Sequence, residues 1–445
     1  MSAFNRQMLV DWYLRNRARS KMLFDLVSDE AYYSRPIAQR HPTVFYEGHL
    51  PAFSFNTLMK RGLGRPGIDA PLEALFARGI DPPESSGHDQ TPARAGQPEW
   101  PTRDAVRRFT DEADRQVLDA LGHADLDQPG HALLDRAEAA FAILEHEAMH
   151  QETLLYMWHR LPFDRKQRPA GYVATLDGPV PREEWIHVPS GRATLGLDRE
   201  SLAFGWDNER PGASASVNGF DIERHNVTNA AFLEFVEAGG YRDPRWWRPE
   251  DWQWLEAEGV QHPLFWERHD EAWHWRGMFD LVALPPSWPV YVSHAEARAY
   301  ARWRGARLPA EEEFQRAAYG TPEATERRYP WGDDEPTADR GAFDFSGWDP
   351  HPAGSHPAGR SAWGIDDLVG NGWEWTNTVF APFTGFKPMP SYPEYSADFF
   401  DGEHFVMKGA SPVTARELLR PTFRNWFRAR YPYVYATFRC ARDAR

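Results

Sequence analysis

Cysteine is almost absent from this sequence, because Cys440 is the only one among 445 residues. A single cysteine excludes disulfide bonds within the chain and any mechanism that needs a pair of cysteines. It also fits a reducing compartment, where disulfides are rare, so we predict a cytoplasmic protein. An unpaired cysteine is most often a small buried hydrophobic residue, which is the role we expect for Cys440.

Long apolar runs and an excess of positive charge are missing too. No run approaches the roughly 18 apolar residues that indicate a membrane-spanning helix, and residues 1–7 lack the apolar core of a secretory signal. Lys and Arg number 50 against 65 Asp and Glu, which gives a formal net charge of −15. Nucleic acids and anionic membrane surfaces attract basic proteins, so we expect neither as a partner.

Residues up to about 165 carry apolar side chains at helical spacing. The pattern predicts a bundle of four helices, in which metal sites are built from side chains on facing helices. Pro51 interrupts the second of these stretches and predicts a kink there. Residues 82–103 are rich in Pro, Gly and Ser and predict a loop. The four stretches are 5–28, 43–59, 104–122 and 131–161.

From about residue 183 the pattern changes to short apolar runs separated by Gly, Pro, Asn and Asp, with many Trp residues. Two helices are clear here: one begins at the capping box Ser293–Glu296, and one follows Pro309. The remainder predicts small sheets in irregular structure. We therefore predict an α+β chain with a helical domain at 1–165, a linker at 166–184 and a second domain at 185–445.

The motif with the clearest chemistry is the pair His146 and His150, four residues apart in a stretch without Gly or Pro. At ~100° per residue both imidazoles point the same way from a helix, and their neighbours on that face are small or apolar. Buried imidazoles need partners, and a shared metal ion such as Fe, Zn, Cu or Ni would satisfy both. The motif alone is equally compatible with two separately hydrogen-bonded core histidines.

The second half contains five distinctive phrases, which are Gly205-Trp206-Asp207-Asn208-Glu209-Arg210-Pro211, Val227-Thr228-Asn229, Arg307-Leu308-Pro309-Ala310-Glu311-Glu312-Glu313-Phe314, Tyr329-Pro330-Trp331-Gly332 and Gly370-Asn371-Gly372-Trp373-Glu374-Trp375. Together they resemble the formylglycine-generating-enzyme-type domain, which has a C-type-lectin-like fold. The resemblance covers about residues 185–445, and Gly372 departs from the family's usual valine. Formylglycine generation uses paired cysteines, so that activity is not implied here.

The helical part resembles a DinB-like domain. Its fusion to a formylglycine-type domain is the architecture of ergothioneine sulfoxide synthases and their relatives, which are non-haem iron enzymes. The resemblance implies one Fe(II) held by His49, His146 and His150. Glu152 would then be an acceptor that orients an imidazole, although a solvated helix carboxylate fits the sequence as well.

The resemblance also implies roles for residues of the second domain. Tyr392 matches the family's active-site tyrosine, and Tyr395 matches a second tyrosine near the trimethylammonium group of the substrate hercynine. Asn425 matches an asparagine that binds the hercynine carboxylate. Quaternary ammonium groups bind aromatic faces, so Tyr395 and Trp426 are our candidates for an aromatic cage.

Departures from the family concern the second substrate, the chalcogen donor. Phe427 and Tyr431 occupy the positions of the acidic and basic residues that bind γ-glutamylcysteine in some relatives. Arg430 and Pro432 stand where the enzymes that use free cysteine have Asp and Arg. The turn offers Phe427, Arg428, Arg430 and Tyr431 instead, a combination that suits a sugar ring or an anion. The sequence is thus most similar to the selenoneine-synthase branch, which joins hercynine to a selenosugar.

The activity implied by the resemblance is the O2- and Fe(II)-dependent formation of a C–Se or C–S bond at the imidazole carbon of hercynine. Tyr392 would donate a proton or hydrogen atom. One alternative is an ergothioneine sulfoxide synthase that uses cysteine or γ-glutamylcysteine. The others are a DinB-type metal-dependent thiol transferase, a binding module and a purely structural protein.

Overall fold

The computed structural model describes residues 4–77 and 100–444. Its residues cluster into two compact units, one made of Met1–Tyr172 with Pro390–Tyr392, the other of Val173–Met389 with Pro393–Arg445. No helix among the described residues combines the length and apolar character that crossing a bilayer requires. Most of the predicted loop at 82–103 lies outside the described residues.

The first unit is a helical bundle, as predicted. Helix α1 packs against α4 and α5, and α2 packs against the same two helices. The predicted domain limits at 165 and 185 remain predictions. The helices are α1 Arg6–Asp25, α2 Thr43–Ser54, the short α3 Ala70–Leu75, α4 Arg103–His123 and α5 Glu138–His159.

Helix α5 begins later than its sequence predicts. The expected helix starts at residue 131, but Arg136 and Ala137 both have a φ of 58°, which is the left-handed region. Leu133 and Leu134 donate their backbone N–H groups to the ring Nδ1 of His131, which stabilises a turn in place of the first helical turns. No Gly or Pro marks this break, so the sequence pattern could not reveal it.

Helix α2 accommodates Pro51 without ending. The chain continues from Ser54 into a π-helical stretch, Phe55–Gly62, with wider turns than an α-helix. Proline has no backbone N–H, so the helix lacks one hydrogen bond at this position. π-Helical turns within helices are frequent at functional sites. The π-helical stretch begins six residues after His49, so His49 itself lies in regular α-helix.

The second unit contains four small sheets, as the α+β prediction requires. The largest runs in the order β10-β9-β8-β11, with β11 parallel to β8 and the other pairs antiparallel. The remaining sheets have the orders β1-β4-β12, β2-β3 and β5-β6-β7. The strands are β1 Trp185–Val188, β2 Gly191–Gly196, β3 Ala213–Val217, β4 Phe220–Glu223, β5 Trp266–His269, β6 Ala272–Arg276, β7 Leu281–Ala283, β8 Gly372–Val379, β9 His404–Ala410, β10 Asn425–Arg428, β11 Ala436–Thr437 and β12 Ala441–Asp443.

This unit also contains two helices that the sequence pattern did not predict. Both carry ordinary start signals: the Thr228 hydroxyl accepts the N–H of Ala231, and Pro249 opens the other helix. They were missed because each is short and rich in aromatic residues, which breaks the simple helical pattern. The helices of this unit are α6 Asn229–Glu237, α7 Pro249–Glu258, α8 His294–Trp303 and α9 Glu311–Tyr319.

A buried ion pair joins β8 to the C-terminal segment. The Arg439 guanidinium donates to both carboxylate oxygens of Glu374 at 2.7 Å, and the two side chains are 0% and 1% exposed. Arg439 also donates to the backbone carbonyl oxygens of Glu223, Arg224 and Asp366. Each donor and acceptor is thereby satisfied, which a charge in the protein interior requires.

We predict that Arg439→Ala lowers the free energy of unfolding by about 3–5 kcal/mol, because it leaves the Glu374 carboxylate buried without its counter-charge. Urea denaturation followed by tryptophan fluorescence measures the change. The matched control is Arg268→Ala, which removes an arginine 54% exposed and paired with Glu271 at the surface, and we expect less than about 1 kcal/mol. Equal midpoints for the two variants would contradict the prediction.

Candidate metal centre and aromatic clusters

Three histidines of the helical unit converge on one point. Helix α2 supplies His49, and α5 supplies His146 and His150 from one of its faces. One nitrogen of each ring lies within 4.8 Å of the others. The ring centroids of His49 lie 5.1 Å from those of both other histidines, and His146 and His150 are 4.4 Å apart. The geometry thus brings together the three predicted metal ligands.

The ring nitrogens at this point lack hydrogen-bond partners. Nε2 of His49, both nitrogens of His146 and Nδ1 of His150 are buried and unpaired. This excludes the alternative of two separately hydrogen-bonded core histidines. Burial lowers the pKa of His49 to about 4 and takes the pKa of His146 and His150 well below the usual value. Each ring is therefore uncharged at neutral pH and offers a lone pair, which is the form that binds a first-row transition metal.

Aromatic rings line the histidine cluster. Phe53 stacks on His146 with a centroid distance of 3.6 Å and an interplanar angle of 9°. Phe45 stacks on His49 at 5.1 Å, and the Tyr46 ring lies 5.8 Å from that of His150. These rings restrict rotation of the imidazoles.

Hydrogen bonds and ion pairs on another face of α5 hold this helix in the bundle. The Glu147 carboxylate, 1% exposed, accepts bonds from Arg17 at 2.8 Å and from the Ser20 hydroxyl at 2.6 Å. Arg17 also pairs with Asp114 of α4 at 2.9 Å, and the Gln151 amide donates to the Ser20 hydroxyl at 3.0 Å. Register between α1, α4 and α5 is thus specified by charge as well as by packing.

Tyr392 lies beside the histidine cluster, within the same compact unit. Its ring centroid is 5.2 Å from that of Phe53 and 6.0 Å from that of His146. The side chain is partly exposed. A phenol in this position can reach a molecule bound at the histidines, and its catalytic role stays a prediction.

Bonds to the bundle hold the residues that precede Tyr392. Arg61 donates to the carbonyl oxygens of Pro390 at 2.7 Å and Ser391 at 3.1 Å. The Ser391 hydroxyl donates to the Glu138 carboxylate at 3.0 Å. Arg61 and Glu138 are supporting residues that the sequence did not identify, since more than 250 residues separate Glu138 from Ser391 along the chain.

A second cluster, of aromatic rings, forms in the strand-containing unit. The rings of Tyr395 and Trp426 meet edge to face at 5.1 Å, and their role as a cage stays a prediction. Trp206 stacks on Tyr395 at 4.0 Å, and Phe380 stacks on Trp426 at 4.3 Å. Trp206 was not predicted as a site residue, although it belongs to the quoted phrase 205–211.

Asp207, the neighbour of Trp206, fastens the segment that contains Tyr395. Its carboxylate accepts the Ser396 hydroxyl at 2.5 Å and the Met389 N–H at 3.4 Å. Burial raises the pKa of Asp207 to about 6, although these hydrogen bonds oppose the shift. In the sequence, this role was indicated by the presence of Asp207 in the quoted phrase 205–211.

Strand β10 places the predicted site residues of this segment on two faces. Asn425 and Phe427 alternate with Trp426 and Arg428 along the strand, so the two pairs point to opposite faces. The Asn425 side-chain oxygen accepts the N–H of Trp426 at 2.9 Å. The predicted residues of this segment therefore divide into two groups.

The group that includes Phe427 continues into the following turn. The Phe427 ring stacks on Tyr431 at 5.1 Å with an interplanar angle of 13°. Arg430 donates to the Glu250 carbonyl oxygen at 2.9 Å and lies 3.6 Å from the Glu403 carboxylate. Arg428 is exposed. The turn is thus an aromatic surface in which Arg430 already has protein partners.

Glu152 is only 8% exposed, so it is not the solvated helix carboxylate that the sequence also allowed. Its role toward an imidazole stays a prediction. Gly372, the departure noted in the sequence, has a packing reason. A Cβ atom there would lie 2.8 Å from the Thr437 side chain and 3.0 Å from the Tyr291 ring.

We predict that His49, His146 and His150 together bind one iron per chain and that replacing any of them with Ala abolishes stoichiometric binding. The loss should exceed the roughly 10- to 100-fold fall in affinity that follows removal of a supporting residue. Elemental analysis after loading with Fe(II) and gel filtration gives the stoichiometry. His123→Ala is the control, because that side chain is 81% exposed. Full iron content in His49→Ala would remove His49 from the ligand set.

Comparisons with known proteins agree with this architecture. Residues 174–444 match the model of the sulfatase-modifying factor enzyme 1-like domain, and residues 13–154 match that of the DinB superfamily. The predicted combination of a DinB-like bundle and a formylglycine-type, C-type-lectin-like domain is thereby confirmed.

Named relatives match this chain along most of its length. Hercynine oxygenase of Mycolicibacterium thermoresistibile is 34% identical over 392 residues, 85% of this chain and 82% of the relative. Hercynine oxygenase of Mycolicibacterium smegmatis is 34% identical over 314 residues, 68% of this chain and 71% of the relative. Ergothioneine biosynthesis protein 1 of Schizosaccharomyces pombe is 26% identical over 98% of this chain, which spans 56% of that longer protein. The chain therefore belongs to the sulfatase-modifying factor enzyme 1-like family, in the group that carries an N-terminal DinB-type domain and includes the hercynine oxygenases.

Proposed function

We propose that this chain is an Fe(II)- and O2-dependent enzyme that forms a bond between a chalcogen atom and the imidazole carbon of hercynine. The observation that carries the proposal is the cluster of three uncharged imidazoles, two buried and one half-buried, with unpaired nitrogens beside the Tyr392 ring. The names of the relatives support hercynine as the first substrate. The cytoplasmic location stays a prediction from the single cysteine.

Iron bound by His49, His146 and His150 would supply a redox-active ion with open coordination positions, where hercynine, the donor and O2 can meet. In the overall reaction, hercynine loses the hydrogen of its imidazole C–H and the donor loses that of its Se–H or S–H as the new bond forms. The two electrons and two protons released reduce O2 to H2O2; in a selenoxide or sulfoxide product, one oxygen atom of O2 is instead bonded to the chalcogen and the other leaves as water. The protein's part is to keep the three imidazoles neutral and oriented. Phe53 and Phe45 do this by stacking on His146 and His49.

Tyr392 is our candidate for the proton or hydrogen donor to reduced oxygen. A tyrosine hydroxyl can act as a general acid. Arg61 and Glu138 support this role because they hold the backbone and side chain of the two preceding residues. A fixed segment limits the positions available to the phenol ring, which lowers the entropic cost of reaching a reactive geometry.

For hercynine, we propose that Tyr395 and Trp426 bind the trimethylammonium group and that Asn425 binds the carboxylate. The stacked Trp206 extends the aromatic surface around Tyr395. The faces of aromatic rings attract cations such as a trimethylammonium group. The Asn425 oxygen already accepts a backbone N–H, so its amide nitrogen is the group available to donate to a carboxylate.

For the donor, we propose a selenosugar and hence a selenoneine synthase. The stacked rings of Phe427 and Tyr431 suit the C–H face of a sugar. Arg430, which could have bound an amino acid carboxylate, is engaged by Glu250 and Glu403. Arg428 remains a candidate for an anionic group on the donor.

The second candidate function is an ergothioneine sulfoxide synthase that takes cysteine or γ-glutamylcysteine. The name of the relative from Schizosaccharomyces pombe favours it. Both candidates share the histidine cluster and the hercynine site, and they differ only in the donor. A DinB-type thiol transferase would instead act without O2, so strictly anaerobic turnover would identify it.

We predict that Tyr392→Phe folds and binds iron and hercynine like the wild-type protein but forms less of the coupled product. Without the hydroxyl the proton or hydrogen donor is lost, which for general acid catalysis corresponds to about 100- to 10,000-fold in rate. O2 is then expected to oxidise the donor alone. Product analysis by mass spectrometry, combined with O2 uptake, measures the partition. Wild-type yield and rate in Tyr392→Phe would exclude the residue from the mechanism.

We predict that a selenosugar, or its thiosugar analogue, has a higher kcat/KM than cysteine or γ-glutamylcysteine. Loss of a charge-assisted hydrogen bond costs about 1.5–3 kcal/mol, which is ten- to a hundred-fold in affinity. A sugar donor does not depend on those bonds. Steady-state assays of the iron-loaded protein with hercynine in air compare the donors. Equal or better turnover of either cysteine donor would favour the sulfoxide synthase, and no product from any donor would contradict both functions.

A further inference from the structure

His49 is held in one tautomer by a backbone group. Its Nδ1 lies 2.8 Å from the carbonyl oxygen of Phe76. A carbonyl oxygen only accepts, so Nδ1 must carry the proton, and the neutral ring then has its lone pair on Nε2. Nε2 is the buried, unpaired nitrogen of this residue. The Phe76 carbonyl therefore decides which nitrogen of His49 is available to a metal.

The position of the Phe76 carbonyl depends on close packing between α2 and α3. Phe76 follows the last residue of α3, and its N–H donates to the Leu72 carbonyl oxygen at 3.0 Å. Its ring covers Gly48, where a Cβ atom would lie only 2.4 Å away. Glycine before His49 thus allows the chain at 76 to approach α2 closely enough for the hydrogen bond.

A buried carboxylate holds α3 in this position. Glu73 is 2% exposed. One of its oxygens accepts the N–H groups of Ile68 at 2.6 Å and Asp69 at 2.9 Å, and the other accepts Lys60 Nζ at 2.6 Å. The carboxylate thereby ties the connection before α3, and the π-helical stretch after α2, to the helix that ends at Phe76. Gly67 belongs to the same arrangement, because a Cβ atom there would lie 2.7 Å from the carboxylate.

We propose that Glu73 is a positioning residue of the three-histidine centre. It acts through α3 and the Phe76 carbonyl, which keeps the proton on His49 Nδ1 and leaves the Nε2 lone pair directed to the cluster. Backbone and carboxylate acceptors commonly orient metal-binding histidines in this way. This inference rests on the proposed metal centre, and it assigns a function to a carboxylate that has no contact with the three ligands.

The test compares Glu73→Gln with Glu112→Gln. Both remove one negative charge from the helical unit, but the Glu112 side chain is 41% exposed and lies on α4. Affinity for Co(II), measured by competition with a chelator well below the unfolding temperature, should fall about 10- to 100-fold in Glu73→Gln and stay unchanged in Glu112→Gln. The visible Co(II) spectrum should change with it. A purely structural role would lower the unfolding temperature but leave both the affinity and the spectrum as in the wild type, which would overturn the proposal.

A second measurement needs no metal. In the metal-free protein, ¹⁵N NMR of the histidine rings reports which nitrogen carries the proton. We expect the Nδ1–H tautomer of His49 in the wild type and a mixture with the Nε2–H tautomer in Glu73→Gln. An unchanged tautomer would contradict the inference, whereas failure of the wild type to bind any metal would contradict only the proposed function.

Lys60→Met provides a variant that is expected to fold, because the Lys60 side chain is 39% exposed. It removes one of the three donors to Glu73 and should move the Co(II) affinity and the His49 tautomer in the same direction, by a smaller amount. If Glu73→Gln does not fold, wild-type values for both quantities in Lys60→Met would overturn the proposal.

Discussion

The desolvation of three imidazole rings at one point is the constraint on which the helical unit depends. Each ring nitrogen buried without a partner costs about 1–3 kcal/mol, and the three histidines have four such nitrogens between them. Nothing within the described protein offsets this cost at the cluster itself. The rest of the bundle therefore has to stabilise the fold. A metal ion bound by the imidazole nitrogens would offset this desolvation cost, because binding to the folded state adds to its stability.

The bundle stabilises the cluster mainly by holding the helices and aromatic rings around the imidazoles in place. The bonds of Glu147 to Arg17 and Ser20 fix α5 on a face that the cluster does not use. Stacking by Phe53 and Phe45 fixes the imidazole planes. With two of the three ligands on a single helix, only the separation between α2 and α5 has to be controlled by tertiary packing.

The sequence was sufficient for those features that depend on local pattern. The i, i+4 spacing of His146 and His150 gave their common direction, and the order of the phrases identified both parts of the chain. It failed where contacts between distant residues decide. Trp206 and Asp207 lie far from Tyr395 and Ser396 along the chain, so their stacking and hydrogen bonding have no periodic signature.

Local breaks without Gly or Pro were also invisible. The left-handed residues Arg136 and Ala137 interrupt the predicted helix near its start, because His131 binds the backbone of the next turn. Strand geometry was missed as well. Asn425 and Trp426 were both assigned to hercynine, yet neighbours in a strand point to opposite faces.

The main-chain acceptor of His49 has a consequence for how this centre can vary among related sequences. Every residue type has a carbonyl oxygen, so the hydrogen bond places no demand on the identity of residue 76. The residue type is constrained instead at two positions that determine the path of the chain. These are glycine at 48, where the ring of Phe76 leaves no room for a Cβ atom, and the carboxylate at 73. Residue 76 makes this hydrogen bond through its backbone. A search restricted to side chains that could orient His49 would therefore not identify this position.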